Sequence, residues 1–328
     1  AWGVHDAVEW IGPLDRWVLS IREASNSTLY RVLAGPNDEP TLTQHLRDYF
    51  QLETPLQPLY ERWSRQDPKR MKRIAAALPG VRVLRQDPIE CLFSFICSSN
   101  NNIPRISLIL SRFRAAYGKP LLDLPVVTHD ADHKIITLHS FPTLEALESV
   151  TESDLRSLGL GYRAKYLVQT RDLLMQAGGR DYLLGLRGKN PEIIQKQLVK
   201  FHGVGRKVAD CVALFSLDAS VAIPVDVHVQ QIACRDYGSS ILRGDKSLTP
   251  AIYKQVGDIF RTRFDSHAGW AHSLLFAAEL PSFRPVLPPD LLEEMDKWRE
   301  QEKKQKEEKK ATTKQKKASQ PKEYASDA

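Results

Sequence analysis

F-H-G-V-G-R-K-V-A-D-C-V-A-L-F-S-L-D-A-S-V-A-I-P-V-D-V-H-V-Q, residues 201–230, is the stretch whose reading decides the fold. Upstream of it, Asn190 caps a helix that takes Pro191 in its first turn and carries Ile194, Leu198 and Phe201 at helical spacing. Gly203-Val204-Gly205 ends that helix, and its two glycines permit a tight reversal with positive φ. A second helix then starts at once, with Val208, Cys211, Val212 and Phe215 on its buried stripe. The pair reads as a helix-hairpin-helix. Free backbone N–H groups at the second helix's start, beside residues that bear no side chain, form a ready site for a phosphate oxygen of a nucleic-acid backbone.

Lys207 falls in the first turn of that second helix. A cation there opposes the helix dipole, and burial adds to the bias toward the neutral amine that a nucleophile must be. Pro224-Val225-Asp226-Val227-His228 then places Asp226 as the cap of a third helix. Helix N–H groups and the dipole favour its anion, a fixed negative charge able to stabilise a developing cation. Lys207 and Asp226 are therefore expected to share one cleft. Taken singly, a lysine on a helix is most often a solvated surface charge, and an aspartate before a helix is most often only a cap. The ordered combination is what carries weight.

G-V-G-x-K-V-A-D-C followed by P-V-D-V-H resembles the DNA glycosylases of the helix-hairpin-helix superfamily, and among them the eukaryotic 8-oxoguanine DNA glycosylases. The resemblance implies Lys207 as nucleophile and Asp226 as its electrostatic and proton-handling partner. It implies DNA-backbone contacts at Gly203, Val204 and Gly205, and a place for His228 near the phosphate beside the damaged nucleotide. Further motifs extend it over about residues 1–280.

Ser98-Ser99-Asn100-Asn101-Asn102-Ile103-Pro104-Arg105 ends a deeply apolar helix that begins near Gln86-Asp87-Pro88. By composition this is a helix terminator with a surface arginine. The family carries the same N-N-N-I-x-R, which implies that Asn100 fills the gap left by an extruded base and that Arg105 reads the abandoned cytosine. Gly159-Leu160-Gly161-Tyr162-Arg163-Ala164 is similar to a second family motif. Tyrosine can wedge into a base stack and arginine can pair with a base edge, so Tyr162 is expected as wedge and Arg163 as second cytosine reader. Near the C-terminal end, Gly269 to Leu280 reads as a buried helix. There the resemblance implies a base pocket in which Phe276 stacks on one face of the flipped purine and Cys211 on the other. His272 stands where family members have glutamine, and a neutral imidazole offers one donor and one acceptor toward the purine edge.

The remaining features set the frame. At 328 residues, with 42% hydrophobic and 26% charged residues, the chain fits a soluble globular protein of two domains, and no run is long enough to span a membrane. Net charge is +6, but 9 of the 46 Lys and Arg and only 5 of the 40 Asp and Glu fall in residues 301–328, so bulk charge is no argument for nucleic acid. Cys91, Cys97, Cys211 and Cys234 follow neither a disulfide, a zinc nor an iron–sulfur spacing.

Trp17–Arg22 and Leu29–Ala34 read as strands, Trp2 and Trp10 suggest more strand, and short helices are expected at 41–50, 56–63 and 68–78. So small a sheet exposes its edges, so residues before Ala1 are expected to be missing. In the family, discrimination from guanine rests on that absent stretch. Residues 119–139 read as a connecting loop, 143–150 as a helix, and 301–328 as a charged tail too poor in apolar residues to fold.

The expected fold class is α+β, mostly α. It comprises a truncated N-terminal domain over 1–78 with a small antiparallel sheet resembling the TATA-box-binding protein, a two-lobed helix-hairpin-helix glycosylase domain over 79–284, and a disordered Lys-rich tail over 285–328. The expected activity is base-excision repair of 8-oxoguanine opposite cytosine in double-stranded DNA, through a lysine Schiff base with abasic-site lyase cleavage. It requires no cofactor, metal or membrane, and the expected state is a monomer in the nucleus, with the mitochondrion as a second compartment. A glycosylase for another damaged purine in the same fold, and a non-catalytic helix-hairpin-helix DNA-binding protein, stay open at this point.

Overall fold

In the computed structural model, which describes residues 3–5, 9–127, 133–238 and 248–318, contacts gather the chain into two units. The first is Ala1–Thr54 with Val83–Pro224, and the second is Pro55–Arg82 with Val225–Ala328. These units interleave along the chain, whereas the domains expected from the sequence run consecutively with divisions at 78 and 284. Residues 55–82 carry charges that pair with the C-terminal helices, Arg70 with Asp236 and Glu294 and Arg73 with Asp290 and Glu294.

The first unit opens with an antiparallel meander, β1 (Gly3–His5), β2 (Glu9–Leu14), β3 (Trp17–Ala24) and β4 (Ser27–Ala34), in that spatial order. Trp10 pairs opposite Ile21 in this sheet, and Trp2 lies outside the described residues. Leu14, Trp17 and Leu19 from the sheet bury against Leu42 and Leu46 of α1 (Glu39–Tyr49), which Asp38 caps through the Thr41 N–H. Trp17 is held by its indole N–H to the Pro36 carbonyl at 3.0 Å. Gly35, at φ +124°, lets the chain pass this ring, since a Cβ there would stand 2.6 Å from Trp17 Cδ1.

Two elements of the second unit follow in sequence, α2 (Leu56–Gln66) and α3 (Met71–Ala77). The chain then returns to the first unit with α4 (Pro88–Ser98), α5 (Ile103–Tyr117), a hairpin of β5 (Pro120–Val127) and β6 (His133–His139), α6 (Glu152–Ser157), α7 (Arg163–Ala177), α8 (Gly179–Leu184), α9 (Pro191–Leu198) and α10 (Arg206–Ser216). Side-chain caps start these helices: Asp87 for α4, Asn102 for α5, a Thr151/Asp154 capping box for α6 and, as expected, Asn190 for α9. The second unit closes with α11 (Val227–Tyr237), α12 (Pro250–Phe264), α13 (Ala268–Ala277) and α14 (Pro289–Ala318).

Three expectations are corrected. The loop expected over 119–139 is the β5–β6 hairpin, paired from Leu122 opposite Leu138 to Val127 opposite His133, with a register shift before Leu122. Its prolines are tolerated because both strands of a two-stranded ribbon have a free edge that needs no donor. The helix expected over 143–150 is a single 3₁₀ turn, Glu145–Leu147. The buried Arg171 guanidinium donates to the Leu147 and Val150 carbonyls at 2.6 Å each, taking the acceptors a longer helix would use. The tail expected without structure continues as α14 to Ala318. Leu291 and Met295, one turn apart and both fully buried, anchor it, and Glu293 pairs with Lys297 at 2.7 Å along its exposed side. Among the described residues no helix is long and apolar enough to cross a membrane.

Candidate active site and nucleic-acid interface

The hairpin is built as its sequence demands. α9 ends at Leu198, Gly203 sits at φ +75°, and a Cβ on it would stand 2.8 Å from the Tyr166 ring. Glycine there serves both the turn and the packing of α7 against it. The Thr170 hydroxyl donates to the His202 carbonyl at 2.9 Å, and Val204 is buried beneath the turn. Gly205 differs. As the cap residue of α10 it has φ −85°, no side-chain hydrogen bond closes the helix start, and a Cβ added to it would meet nothing within 4 Å. Fold and packing therefore do not require glycine at 205. What it leaves is bare backbone at the positive end of a helix.

Lys207, Cys211 and Phe215 lie at i, i+4 and i+8 of α10 and so share one face. Lys207 and Phe215 are half-buried and Cys211 is 2% exposed. The Lys207 Nζ lies 5.6 Å from the centroid of the Phe95 ring, which projects from α4 and is stacked on Phe215 with centroids 5.6 Å apart and planes 11° apart. Sequence reasoning assigned Phe95 only to a buried helix. Its contacts come from residues more than a hundred positions away, for which no local signal exists.

The same unit brings together three of the expected DNA-contacting residues. Asn100 takes a left-handed φ of +47° at the end of α4. Arg163 reaches its loop, donating from Nε to the Ser99 carbonyl at 2.9 Å and from Nη2 to the Asn100 carbonyl at 2.8 Å, while its guanidinium stacks 4.5 Å over the Tyr162 ring. The Tyr162 hydroxyl donates to the Ser99 carbonyl at 3.1 Å, leaving the ring 44% exposed. Arg163 itself is 3% exposed. In this structure it holds the asparagine loop, and Arg105, exposed in the first turn of α5, is the free guanidinium of the two. The Arg163 charge also lies near the Cys97 thiol, which burial pushes up to about 12.

The second unit carries Asp226, His228, His272 and Phe276. Asp226 caps α11 as expected, its Oδ1 accepting from the His228 and Val229 N–H groups at 3.0 Å each. The residue before it is held as well, since the Val225 N–H donates to the Tyr253 hydroxyl at 3.3 Å. Tyr253 is a contact the sequence did not disclose. His228 stands edge-on to Phe276 with centroids 6.4 Å apart, and Phe276 lies beside His272 at 6.4 Å with planes tilted by 32°. His272 is 5% exposed and meets Phe260 edge-on at 5.5 Å, so its imidazole lies within an aromatic row that runs from His228 through Phe276 to Phe260.

This row is anchored by buried charge. Arg235 of α11 pairs with Asp236 at 2.6 Å and with Glu279, just past α13, at 2.7 Å, and Glu279 also binds Arg299 of α14 at 2.6 Å. Asp236, with a side chain fully buried, also binds Arg70, the residue before α3, at 3.0 Å. Burial and the Asp67 carboxylate both raise the pKa of the Tyr237 phenol, which donates to Asp67 at 3.0 Å. No group of three or more potential metal ligands occurs among the described residues.

Comparison with known proteins gives the chain's family. Residues 1–92 match the family model of the 8-oxoguanine DNA glycosylase N-terminal domain, and residues 93–250 match that of HhH-GPD superfamily base excision DNA repair proteins. The chain is 38% identical to the N-glycosylase/DNA lyase OGG1 of Arabidopsis thaliana over 289 residues, 87% of this chain and 76% of the relative. It is 35% identical over 298 residues to the N-glycosylase/DNA lyase of Saccharomyces cerevisiae, covering 82% and 76% of the two chains. Among solved structures it is similar to the 8-oxoguanine glycosylase/lyase of Clostridium acetobutylicum in complex with double-stranded DNA containing cytosine opposite to 8-oxoguanine. The TM-score is 0.70 at 30% identity, over 85% of this chain and 87% of that one.

Proposed function

Because this chain belongs to the 8-oxoguanine DNA glycosylase/lyase family, we propose that its α10 face and its α11 cap serve the two chemical steps of that activity. The protein is a base-excision repair enzyme, a bifunctional DNA glycosylase and lyase that acts on double-stranded DNA containing 8-oxoguanine opposite cytosine. One observation supports the residue assignment above the others: Lys207 stands in the first turn of a helix whose start is uncapped and sterically open, on the same face as Cys211. A phosphate on the open N–H groups at Gly205 brings the neighbouring deoxyribose toward the lysine side chain.

In the first step the neutral Lys207 amine attacks C1′ as the N-glycosidic bond breaks, and the electron pair of that bond leaves with the base, which takes up a proton. The transition state carries positive charge on the sugar. The Asp226 carboxylate, held by two N–H groups, stabilises that charge and accepts the proton lost by the attacking amine. Ring opening by cleavage of the C1′–O4′ bond then gives the protonated Schiff base. The iminium acidifies the C2′ protons, so loss of one of them expels the 3′ phosphate by β-elimination, and water finally hydrolyses the imine to return the free lysine.

Extruding a nucleotide costs a few kcal/mol of stacking and pairing. We assign Asn100 and Tyr162 to the vacated space, Arg105 and Arg163 to the orphaned cytosine, Phe276 and Cys211 to the faces of the flipped purine, His272 to its edge, and His228 to the adjacent phosphate. For Arg163 this requires release of the Ser99 and Asn100 carbonyls. We place the action of the enzyme in the nucleus, with the mitochondrion as a second compartment; a fluorescent fusion excluded from both would contradict this.

Lys207→Gln tests the core of the assignment. The variant is expected to bind DNA and to give no borohydride-trapped adduct with an abasic duplex. A trapped adduct at the wild-type level would show that another amine forms the Schiff base.

A further inference from the structure

A nucleophilic lysine has four rotatable side-chain bonds and, left to itself, spreads its amine over many positions. On α10 the Lys207 amine is not left to itself. Its Nζ sits 5.6 Å from the centroid of the Phe95 ring, within the range of a cation–π contact. The ring is in turn fixed by its near-parallel stack on Phe215, two turns further along the helix on the face that also carries Cys211. Phe215 sits in the last turn of α10, where its carbonyl accepts the Gln86 N–H at 2.8 Å, so the stack is tied to the segment that leads into α4. The ammonium and the Phe215 ring thus meet the same aromatic side chain from two ends of one helix face. Lys207 is thereby held against the Phe95 ring.

We propose that Phe95, backed by Phe215, is a positioning residue for the Lys207 amine. The proposal rests on the reading of Lys207 as the nucleophile. The ring does not touch the reacting atoms in this account. It narrows the orientations from which the amine starts, and attack on C1′ needs only a small displacement from there.

The decisive comparison is Phe95→Met, which keeps apolar bulk but has no aromatic face, against Phe95→Tyr, which keeps the face. The readout is the single-turnover rate of borohydride trapping on a duplex carrying one abasic site opposite cytosine, with Kd for that duplex and Tm measured alongside. Phe95→Met should slow trapping about two- to fivefold through the lost orientation of the amine, with Kd unchanged, and Phe95→Tyr should restore the rate. Phe215→Leu, which removes the backing ring from a half-buried position, should give a smaller loss in the same direction and stands in should Phe95→Met fail to fold.

Trapping by Phe95→Met at the wild-type rate, or equal slowing in the Met and Tyr variants, would overturn the proposal. So would full-rate trapping by Phe215→Leu where Phe95→Met does not fold. Lys207→Gln is run in parallel to separate the two claims. If it still traps, the nucleophile itself is misassigned, whereas a silent Lys207→Gln beside a full-rate Phe95→Met removes only the positioning role.

Discussion

Gly203 and Gly205 stand two residues apart in one motif and are glycines for different reasons. At 203 the left-handed φ and the Tyr166 ring both exclude a side chain. At 205 the backbone is ordinary and the space around it is empty, so the absence of a side chain is useful only to something that comes from outside. Gly203→Ala should therefore destabilise the fold by about 1–2 kcal/mol or more, the cost of a left-handed alanine with a ring to displace. Gly205→Ala should lose about 1 kcal/mol or less, since alanine is only a poorer cap, yet weaken DNA binding and reduce its salt dependence. Denaturant unfolding and Kd titrations at several salt concentrations separate the two, and comparable stability loss in both variants would remove the distinction. Part of this scale was legible beforehand. Asn190 and Asp226 were expected to cap the helices they precede, and they do, because a cap is a contact between residues two or three apart. Phe95 and Tyr253 were not legible, because what they touch comes from distant parts of the chain.

Among elements, α11 matters most for the chemistry proposed, since it begins at Asp226 and ends in the buried Arg235–Asp236 pair. Arg235 joins α11 to Glu279 at the end of α13, the helix of His272 and Phe276, and the bonds of Glu279 and Gln231 to Arg299 and Glu302 bring α14 into the same network. Removing one member of such a set strands the others without partners. Arg235→Met should cost about 3–5 kcal/mol, measured by chemical denaturation, and a loss below about 1 kcal/mol would show that the network behaves like surface pairs. The elements the sequence missed share a cause. The β5–β6 hairpin gains its stability from pairing across the turn, which a stretch rich in Pro, Asp and His does not advertise. α14 is held by two apolar residues and a set of ion pairs, where an apolar face along its whole length would have been expected. Periodicity finds helices that bury a stripe; it does not find those held by charge.

For the whole molecule, the unit boundary falls between Pro224 and Val225, so Lys207 and Asp226, 19 positions apart in sequence, belong to different units. No composition shift marks that boundary, and the chain crosses back at residues 55 and 83 without one either. The interleaving depends on which helices pair their charges, information spread along the chain and not held in any segment. The hairpin turn and the Asp226 cap were legible for the opposite reason: each is a local feature set by residues a few positions apart.

The most direct test of the account is excision and borohydride trapping by this chain on duplexes with 8-oxoguanine opposite cytosine, 8-oxoguanine opposite adenine, and 3-methyladenine opposite thymine. The account predicts base release and a trapped adduct on the first duplex, at a rate well above that on the second, and no adduct on the third. Release without any trapped adduct, or preference for the alkylated base, would contradict it.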